Sequence, residues 1–131
     1  MKQDIQNRND VFVLVSTFYA RVVKNQEIGY FFNEVIEDWI EHIEKLTDFW
    51  ETNLFMASKF RGNPMRAHKE VDQKVNHSIE QKHFDVWLNL WFETIDDLFE
   101  GERASIAKNR ARNMAGNLFM NMYQSRPVNT P

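Results

Sequence analysis

The chain has 131 residues, 43% of them hydrophobic and 27% charged, which is enough to bury one core and predicts a single domain over residues 1–131. Only 4 Gly and 3 Pro are present, so a sandwich or barrel with many tight turns is disfavoured. The formal charge of -3 argues against nucleic-acid binding, and the absence of cysteine excludes disulfides, thiolate metal sites and cysteine nucleophiles. No apolar run resembles a signal peptide or a membrane span. We therefore expect a cytoplasmic, all-α protein with no nucleic-acid or membrane partner.

Aromatic residues are unusually frequent, with 11 Phe, 4 Trp and 3 Tyr. A small helical domain usually fills its core with smaller side chains. The excess indicates either a core built from rings or a pocket for a flat, apolar molecule.

The first predicted helix follows the N-cap candidates Asn9 and Asp10 and ends near Asn25. Its apolar residues recur at helical spacing, and a second edge widens the buried arc. Gly29 predicts a turn before the next aromatic cluster. The inward residues are Val11, Leu14, Val15, Phe18 and Val22, and the second edge is Phe12, Tyr19 and Val23.

A longer helix is predicted from about Ile36 to Met56. Its apolar stripe has a period of 3.6 residues. His42 lies on the edge of that stripe, one turn from Leu46 and two turns from Phe49, and so faces an aromatic wall. The stripe comprises Ile36, Trp39, Ile40, Ile43, Leu46, Thr47, Trp50 and Leu54.

Three further helices complete the chain. Pro64 suits the first position of a short helix on which Met65, His68, Val71 and Val75 share one face. A capping box from Ser78 to Gln81 opens the next helix, which ends at Gly101. The last helix runs from about Glu102 to Tyr123, and residues 126–131 are expected to form a frayed tail. The inward residues of these two helices are Phe84, Trp87, Leu88, Trp91, Ile95 and Leu98, then Ala104, Ala107, Ala111, Met114, Ala115, Leu118 and Met122.

The four histidines are the strongest candidates for chemistry. His77 lies in a polar connection, and His83 forms the single E-x-x-H spacing, which is half of a carboxylate-bridged metal site. His42 and His68 both face inward beside apolar residues. Each alone is typical of a hydrogen-bonded core histidine, but together with the aromatic excess they indicate one imidazole ligand in a flat apolar pocket, as in a haem site. A helical interaction module without cofactor is the alternative.

Several segments together resemble the third group of the truncated haemoglobins. The ordered set combines a Phe-Tyr pair, a histidine and an aromatic pair, a G-N-P-x-x-x-H run and an F-x-x-W run, over most of the chain. No Gly-Gly pair occurs, as is typical of this group. The segments are Phe18-Tyr19, Glu37 to His42 with Asp48-Phe49-Trp50, Phe60 to His68, and His83 to Trp91.

The resemblance implies a globin-like fold, shortened to a two-on-two helical sandwich around one haem b. It makes His68 the axial iron ligand and Tyr19, His42 and Trp87 the residues on the ligand side. The remaining cofactor-binding positions that it implies are Phe32, Leu46, Phe49, Trp50 and Met65.

The implied function is binding of oxygen and other diatomic gases, including nitric oxide and carbon monoxide. Hydrogen-bond donors around bound oxygen also suit redox reactions with oxygen, nitric oxide or peroxide. No reductase domain is expected, so turnover would need a separate electron donor. Whether the protein is an enzyme stays open at this point.

Overall fold

The computed structural model describes residues 2–55, 64–74 and 79–124, and within the second range the side chains of 68 and 70–74 only. This part of the chain forms six helices and contains no strand. In chain order they are α1 (Arg8–Val22), α2 (Gly29–Asn33), α3 (Trp39–Phe55), α4 (Pro64–Lys74), α5 (Gln81–Leu98) and α6 (Glu102–Gln124).

Helix boundaries depart from the predictions where side chains cap the backbone. The Asn7 carboxamide accepts a hydrogen bond from the Asp10 N–H at 3.0 Å, so α1 begins at Arg8 and the predicted cap at Asn9 or Asp10 is wrong. The segment expected to turn at Gly29 instead forms α2. The Asn25 side chain leads into it by accepting hydrogen bonds from the backbone N–H groups of the two residues before Gly29.

The starts of α3 and α5 shift for the same reason. The Asp38 carboxylate accepts from the Glu41 N–H at 3.1 Å, which starts α3 at Trp39 rather than Ile36. Ser78 lies outside the described residues, but α5 begins at Gln81. There the His83 imidazole accepts a hydrogen bond at Nδ1 from the Glu80 N–H, 2.7 Å away. His83 therefore serves the helix terminus.

Two helix pairs form the two layers of the molecule. Helix α1 packs on α3 and α5 packs on α6, while α1 also contacts α5 and α3 contacts α6. Helix α4 lies against α6. The small residues predicted to face inward from α6 are buried and let α5 approach closely: Ala104, Ala107, Ala111 and Ala115. This arrangement confirms the predicted all-α, two-on-two sandwich.

Most predicted core positions are buried, with two exceptions among large apolar residues. Phe12 is 48% exposed and Ile40 is 83% exposed. Phe12 lies off the faces of α1 that contact α3 and α5. Ile40 belongs to the first turn of α3, where helical phase alone does not guarantee a covering neighbour. Both predictions of burial were wrong.

The N-terminal segment fixes the connection between α5 and α6. The Asp4 carboxylate accepts hydrogen bonds from the N–H groups of Arg103 and Ala104, both at 2.9 Å, at the first turn of α6. Gly101 has φ +149°, and a Cβ there would lie 2.5 Å from Asp4 Cγ. Only glycine accommodates both the conformation and the close contact. None of the helices in the described ranges is long and apolar enough to cross a membrane.

Candidate functional site

A tyrosine and a tryptophan from facing helices meet inside the sandwich. Tyr19 of α1 is 8% exposed, and its hydroxyl is hydrogen-bonded to the side chain of Trp87 of α5. An indole N–H only donates, so the Tyr19 oxygen accepts and the hydroxyl proton is not used in this bond. Burial raises the pKa of Tyr19, against a smaller lowering by the bond from Trp87, so the group stays a phenol at neutral pH.

His42 of α3 completes this polar group. Its ring lies edge-on to Tyr19, with the centroids 5.5 Å apart. The Nε2 atom is buried and has no hydrogen-bond partner within the described part of the chain. Burial, with a smaller contribution from the charge of Lys45, lowers the pKa of His42 and favours the neutral imidazole. The side chain is therefore directed inward, toward Tyr19.

Aromatic rings surround Tyr19 and His42. Phe32 lies 5.7 Å from Tyr19, centroid to centroid, as the resemblance implied for a residue of the pocket. Trp39 lies 6.0 Å from Tyr19 and 5.5 Å from His42, centroid to centroid, so it contacts both rings. From the sequence, Trp39 was predicted only as part of the apolar stripe. Its position three residues before His42, on the same face of α3, is the signal that would have identified it.

His68 lies on α4 and contacts α5 through Phe84. It is partly buried, and its ring lies over Phe84 with the centroids 6.0 Å apart and the planes 30° apart. Phe84 and Trp87 are three residues apart on α5, so they are neighbours along that helix. Helix α5 thus carries both the ring that packs on His68 and the indole that bonds Tyr19.

The other predicted site residues have different surroundings. Leu46 and Phe49 are partly buried against the core, beside Trp50 of the same helix. Trp50 is 4% exposed and stacks on Trp91 at 4.6 Å, which makes it a core residue in this structure. The Met65 side chain lies outside those that the structure describes.

The burial of an acid on α4 was not foreseen. Asp72 is 1% exposed and lies one turn beyond His68 on α4. The inward face predicted for this helix comprised Met65, His68, Val71 and Val75 and no acid. The buried face of α4 therefore carries a carboxylate close to His68, which the apolar periodicity of the helix does not predict.

Ion pairs at both ends of α1 fix the position of Tyr19. Near the start, Arg8 reaches Asp48 at 2.6 Å and Glu51 at 3.0 Å, both on α3. Near the end, Arg21 pairs with Asp97 of α5 at 2.9 Å. Helix α1 is therefore tied to the two helices that supply the partners of Tyr19.

Comparison with known proteins finds similarity in both sequence and structure. The chain is 29% identical, over 126 residues, to the group 3 truncated haemoglobin ctb of Campylobacter jejuni, covering 93% of this chain and 94% of that protein. The crystal structure of a group III truncated haemoglobin from Campylobacter jejuni superposes with a TM-score of 0.83 at 26% identity, covering 98% of this chain and all of the other. No protein-family model matches the chain. The resemblance stated from the sequence is confirmed in both sequence and fold.

Proposed function

We propose that this chain, a relative of the group III truncated haemoglobins, binds one haem and, through its iron, diatomic gases. His68 would be the axial ligand, and Tyr19, His42 and Trp87 would lie on the side where the gas binds. One observation carries the proposal: three polar side chains from three helices converge in a buried aromatic environment, and one of their nitrogen atoms, His42 Nε2, has no hydrogen-bond partner among the residues that the structure describes.

The residues fit this cofactor. A buried polar atom without a hydrogen bond costs about 1–3 kcal/mol of stability, and natural cores seldom keep one without a use. His42 Nε2 is such an atom. His68 is an imidazole beside the aromatic ring of Phe84, which suits an iron ligand next to a flat apolar group.

The resemblance to the truncated haemoglobins implies haem b, and the sequence agrees with a haem that is not covalently attached. Covalent haem attachment uses cysteines in a C-x-x-C-H motif, and this chain contains no cysteine. We therefore propose haem b, held by His68 and by packing.

The three polar residues would have different hydrogen-bonding roles toward a bound ligand. Haem iron, when bound, would supply the binding of dioxygen, a ligand that hydrogen-bond donors in the pocket can stabilise. The Trp87 N–H donates to the Tyr19 oxygen, which leaves the Tyr19 proton to donate into the pocket. A hydroxyl that already accepts a hydrogen bond becomes a stronger donor, so Trp87 strengthens Tyr19.

His42 would act as a second, adjustable donor. Its neutral imidazole carries one N–H and one acceptor nitrogen, and either tautomer leaves Nε2 able to interact with a ligand. Trp39 packs edge-on against its ring and limits its rotation. These contacts keep His42 beside Tyr19.

A pocket with several hydrogen-bond donors should release oxygen slowly. Slow release suits a redox reaction with the bound ligand better than it suits oxygen transport. We propose reactivity with oxygen, nitric oxide or peroxide, supported by this donor set, and a separate reductase as the electron source. A cytoplasmic location, as expected from the sequence, suits a protein that depends on an external reductant.

The test is an absorption spectrum of the purified protein supplied with haem, for wild type, His68→Gly and the control His83→Ala. A Soret band in wild type and in the control, lost or shifted in His68→Gly and restored by added imidazole, is the expected result. A folded wild type that takes up no haem contradicts the proposal and favours a helical interaction module. Spectra under oxygen, carbon monoxide and nitric oxide then identify the gases bound.

A further inference from the structure

A row of aromatic rings leads from His68 to the protein surface. Phe84 lies 6.0 Å from His68, Phe119 lies 5.4 Å from Phe84, and Tyr123 lies 6.0 Å from Phe119, all between ring centroids. The row begins on α4, crosses α5 and ends on α6. Because α5 and α6 belong to one packed layer, these positions are fixed by the fold.

The last ring is accessible, whereas the rings before it are covered. Tyr123 is 58% exposed, Phe119 is partly buried and Phe84 is 7% exposed. Tyr123 and Phe119 line an open groove of about 450 Å³ together with the polar segment Glu80, Gln81 and Lys82 at the start of α5. The row therefore joins an inward histidine to a solvent-facing phenol.

We propose that Tyr123 is a surface site of one-electron oxidation, from which an electron reaches the haem face held by His68. This inference rests on the proposed function. Phenols are oxidised far more readily than the benzene rings of phenylalanine, so Tyr123 is the donor and the two phenylalanines bridge the transfer. Electron transfer weakens steeply with distance, and closely spaced rings shorten the gap between surface and cofactor.

Peroxide is the oxidant, and the reaction balances with two chains. Hydrogen peroxide accepts two electrons and two protons as its O–O bond breaks, giving two waters. Each of two Tyr123 side chains gives up one electron and its phenolic proton and becomes a neutral phenoxyl radical. The two radicals form one carbon–carbon bond between ring carbons next to the oxygens, and proton shifts restore both phenols as a dityrosine.

Tyr30 supplies a matched comparison within the same chain. It is 53% exposed, close to the exposure of Tyr123. Its ring contacts run instead to Phe31, at 5.2 Å, and from there to His83, at 4.7 Å. Tyr19, the third tyrosine, is buried and so is not available for coupling between chains. Exposure alone would make Tyr30 and Tyr123 equally reactive.

The experiment treats the haem-loaded protein with equimolar hydrogen peroxide and follows dityrosine fluorescence, with the cross-linked peptides identified by mass spectrometry. We expect a Tyr123–Tyr123 link in wild type and in Tyr30→Phe, and none in Tyr123→Phe. In Phe119→Leu, which keeps Tyr123 but removes a bridging ring, the rate of dityrosine formation should fall severalfold. Links formed mainly through Tyr30, or an unchanged rate in Phe119→Leu, would overturn the inference.

Failure of the proposed function gives a different result. The same samples are examined for a Soret band and for the spectral shift caused by carbon monoxide. A wild type that binds haem and carbon monoxide but forms no Tyr123 link overturns this inference alone. A wild type without a Soret band overturns both, and cross-linking of equal yield in haem-free protein shows that Tyr123 reacts without the cofactor and also overturns the inference.

Discussion

Removing the Tyr19 hydroxyl tests the core of the proposed site. In Tyr19→Phe the ring that packs against Phe32 and Trp39 is kept, since both contacts involve the aromatic face or edge. The variant loses the hydroxyl oxygen that accepts from Trp87 and the proton that would donate to a ligand. The change is therefore confined to hydrogen bonding.

The magnitude follows from the type of bond. A hydrogen bond to a charged group contributes about 1.5–3 kcal/mol, and each 1.4 kcal/mol is a factor of ten. Loss of the Tyr19 donor should thus speed oxygen release roughly tenfold to a hundredfold. The indole of Trp87 loses its acceptor in the same variant, so its N–H becomes free to donate to the ligand. Such compensation would move the effect toward the lower end of the range.

The assay is stopped-flow displacement of oxygen by carbon monoxide from the reduced, haem-loaded protein. Bound carbon monoxide carries little negative charge, so its own release should change much less than that of oxygen. Tyr30→Phe, which removes an exposed hydroxyl, serves as the control. An oxygen release rate in Tyr19→Phe equal to that of wild type, with Trp87→Phe and the double variant equally unchanged, would refute hydrogen bonding by this pair.

Three other perturbations follow from the described contacts. Trp87→Phe should speed oxygen release by about two- to tenfold, the worth of one neutral hydrogen bond, and the double variant with Tyr19→Phe should release oxygen at least as fast as the Tyr19 single variant in the same assay, because it also lacks the indole that could donate in place of the hydroxyl. Burial lowers the pKa of His42, so the contribution of the neutral imidazole to stability is present above about pH 6.5, the usual unfolded value, and is lost as the pH falls. In His42→Leu the urea midpoint should therefore depend less on pH between neutrality and mild acid. An unchanged pH dependence would contradict this assignment. Asp4→Asn should lower the free energy of unfolding by about 1 kcal/mol in urea at pH 7, because a charged acceptor at the start of α6 is replaced by a neutral one, with Asn9→Asp as a surface control.

The stability contribution of Asp4 should also depend on pH. Burial raises its pKa, but hydrogen bonds from the backbone N–H groups of Arg103, Ala104 and Ile5 lower it, and the net pKa lies below the ordinary value. For a lowered carboxyl pKa, stability is present above the unfolded value and is lost as the pH falls through the folded one. The difference between wild type and Asp4→Asn should therefore shrink as the pH drops below about 4, the ordinary range for an aspartate.

Helical phase predicted most of this fold because burial is periodic along a helix. The inward residues Leu14 and Phe18 of α1, and Trp91 and Ile95 of α5, are all buried as expected. Helical phase indicates the direction in which a side chain points, but not whether a neighbouring helix covers that side chain. Ile40 lies on the predicted inward face of α3 and is nevertheless exposed to solvent for this reason. Boundaries depended on single capping side chains, and the sequence offers several candidates for each.

Some features of the candidate site could be predicted from the sequence and others could not. The inward direction of His42 followed from its angular position on α3. The pairing of Tyr19 with Trp87 depends on how α1 and α5 cross, and no local pattern contains that information; only the family resemblance suggested both residues. Trp39 was assigned to the core because a tryptophan on an apolar stripe carries no sign of whether it packs on aliphatic side chains or on the polar group of a site.

Trp87 and Trp91 show how closely the core and the candidate site adjoin. They are one turn apart on α5, and their rings are nearly parallel, with an interplanar angle of 10°. The Trp91 N–H donates to the Ala107 carbonyl at 3.1 Å, a main-chain acceptor that has no proton to pass on. The Trp87 N–H donates instead to Tyr19, whose hydroxyl keeps a proton of its own. Because the two indoles are chemically identical, the choice of acceptor is what separates a tryptophan that holds two helices together from one that, in the proposed function, strengthens a donor facing a ligand.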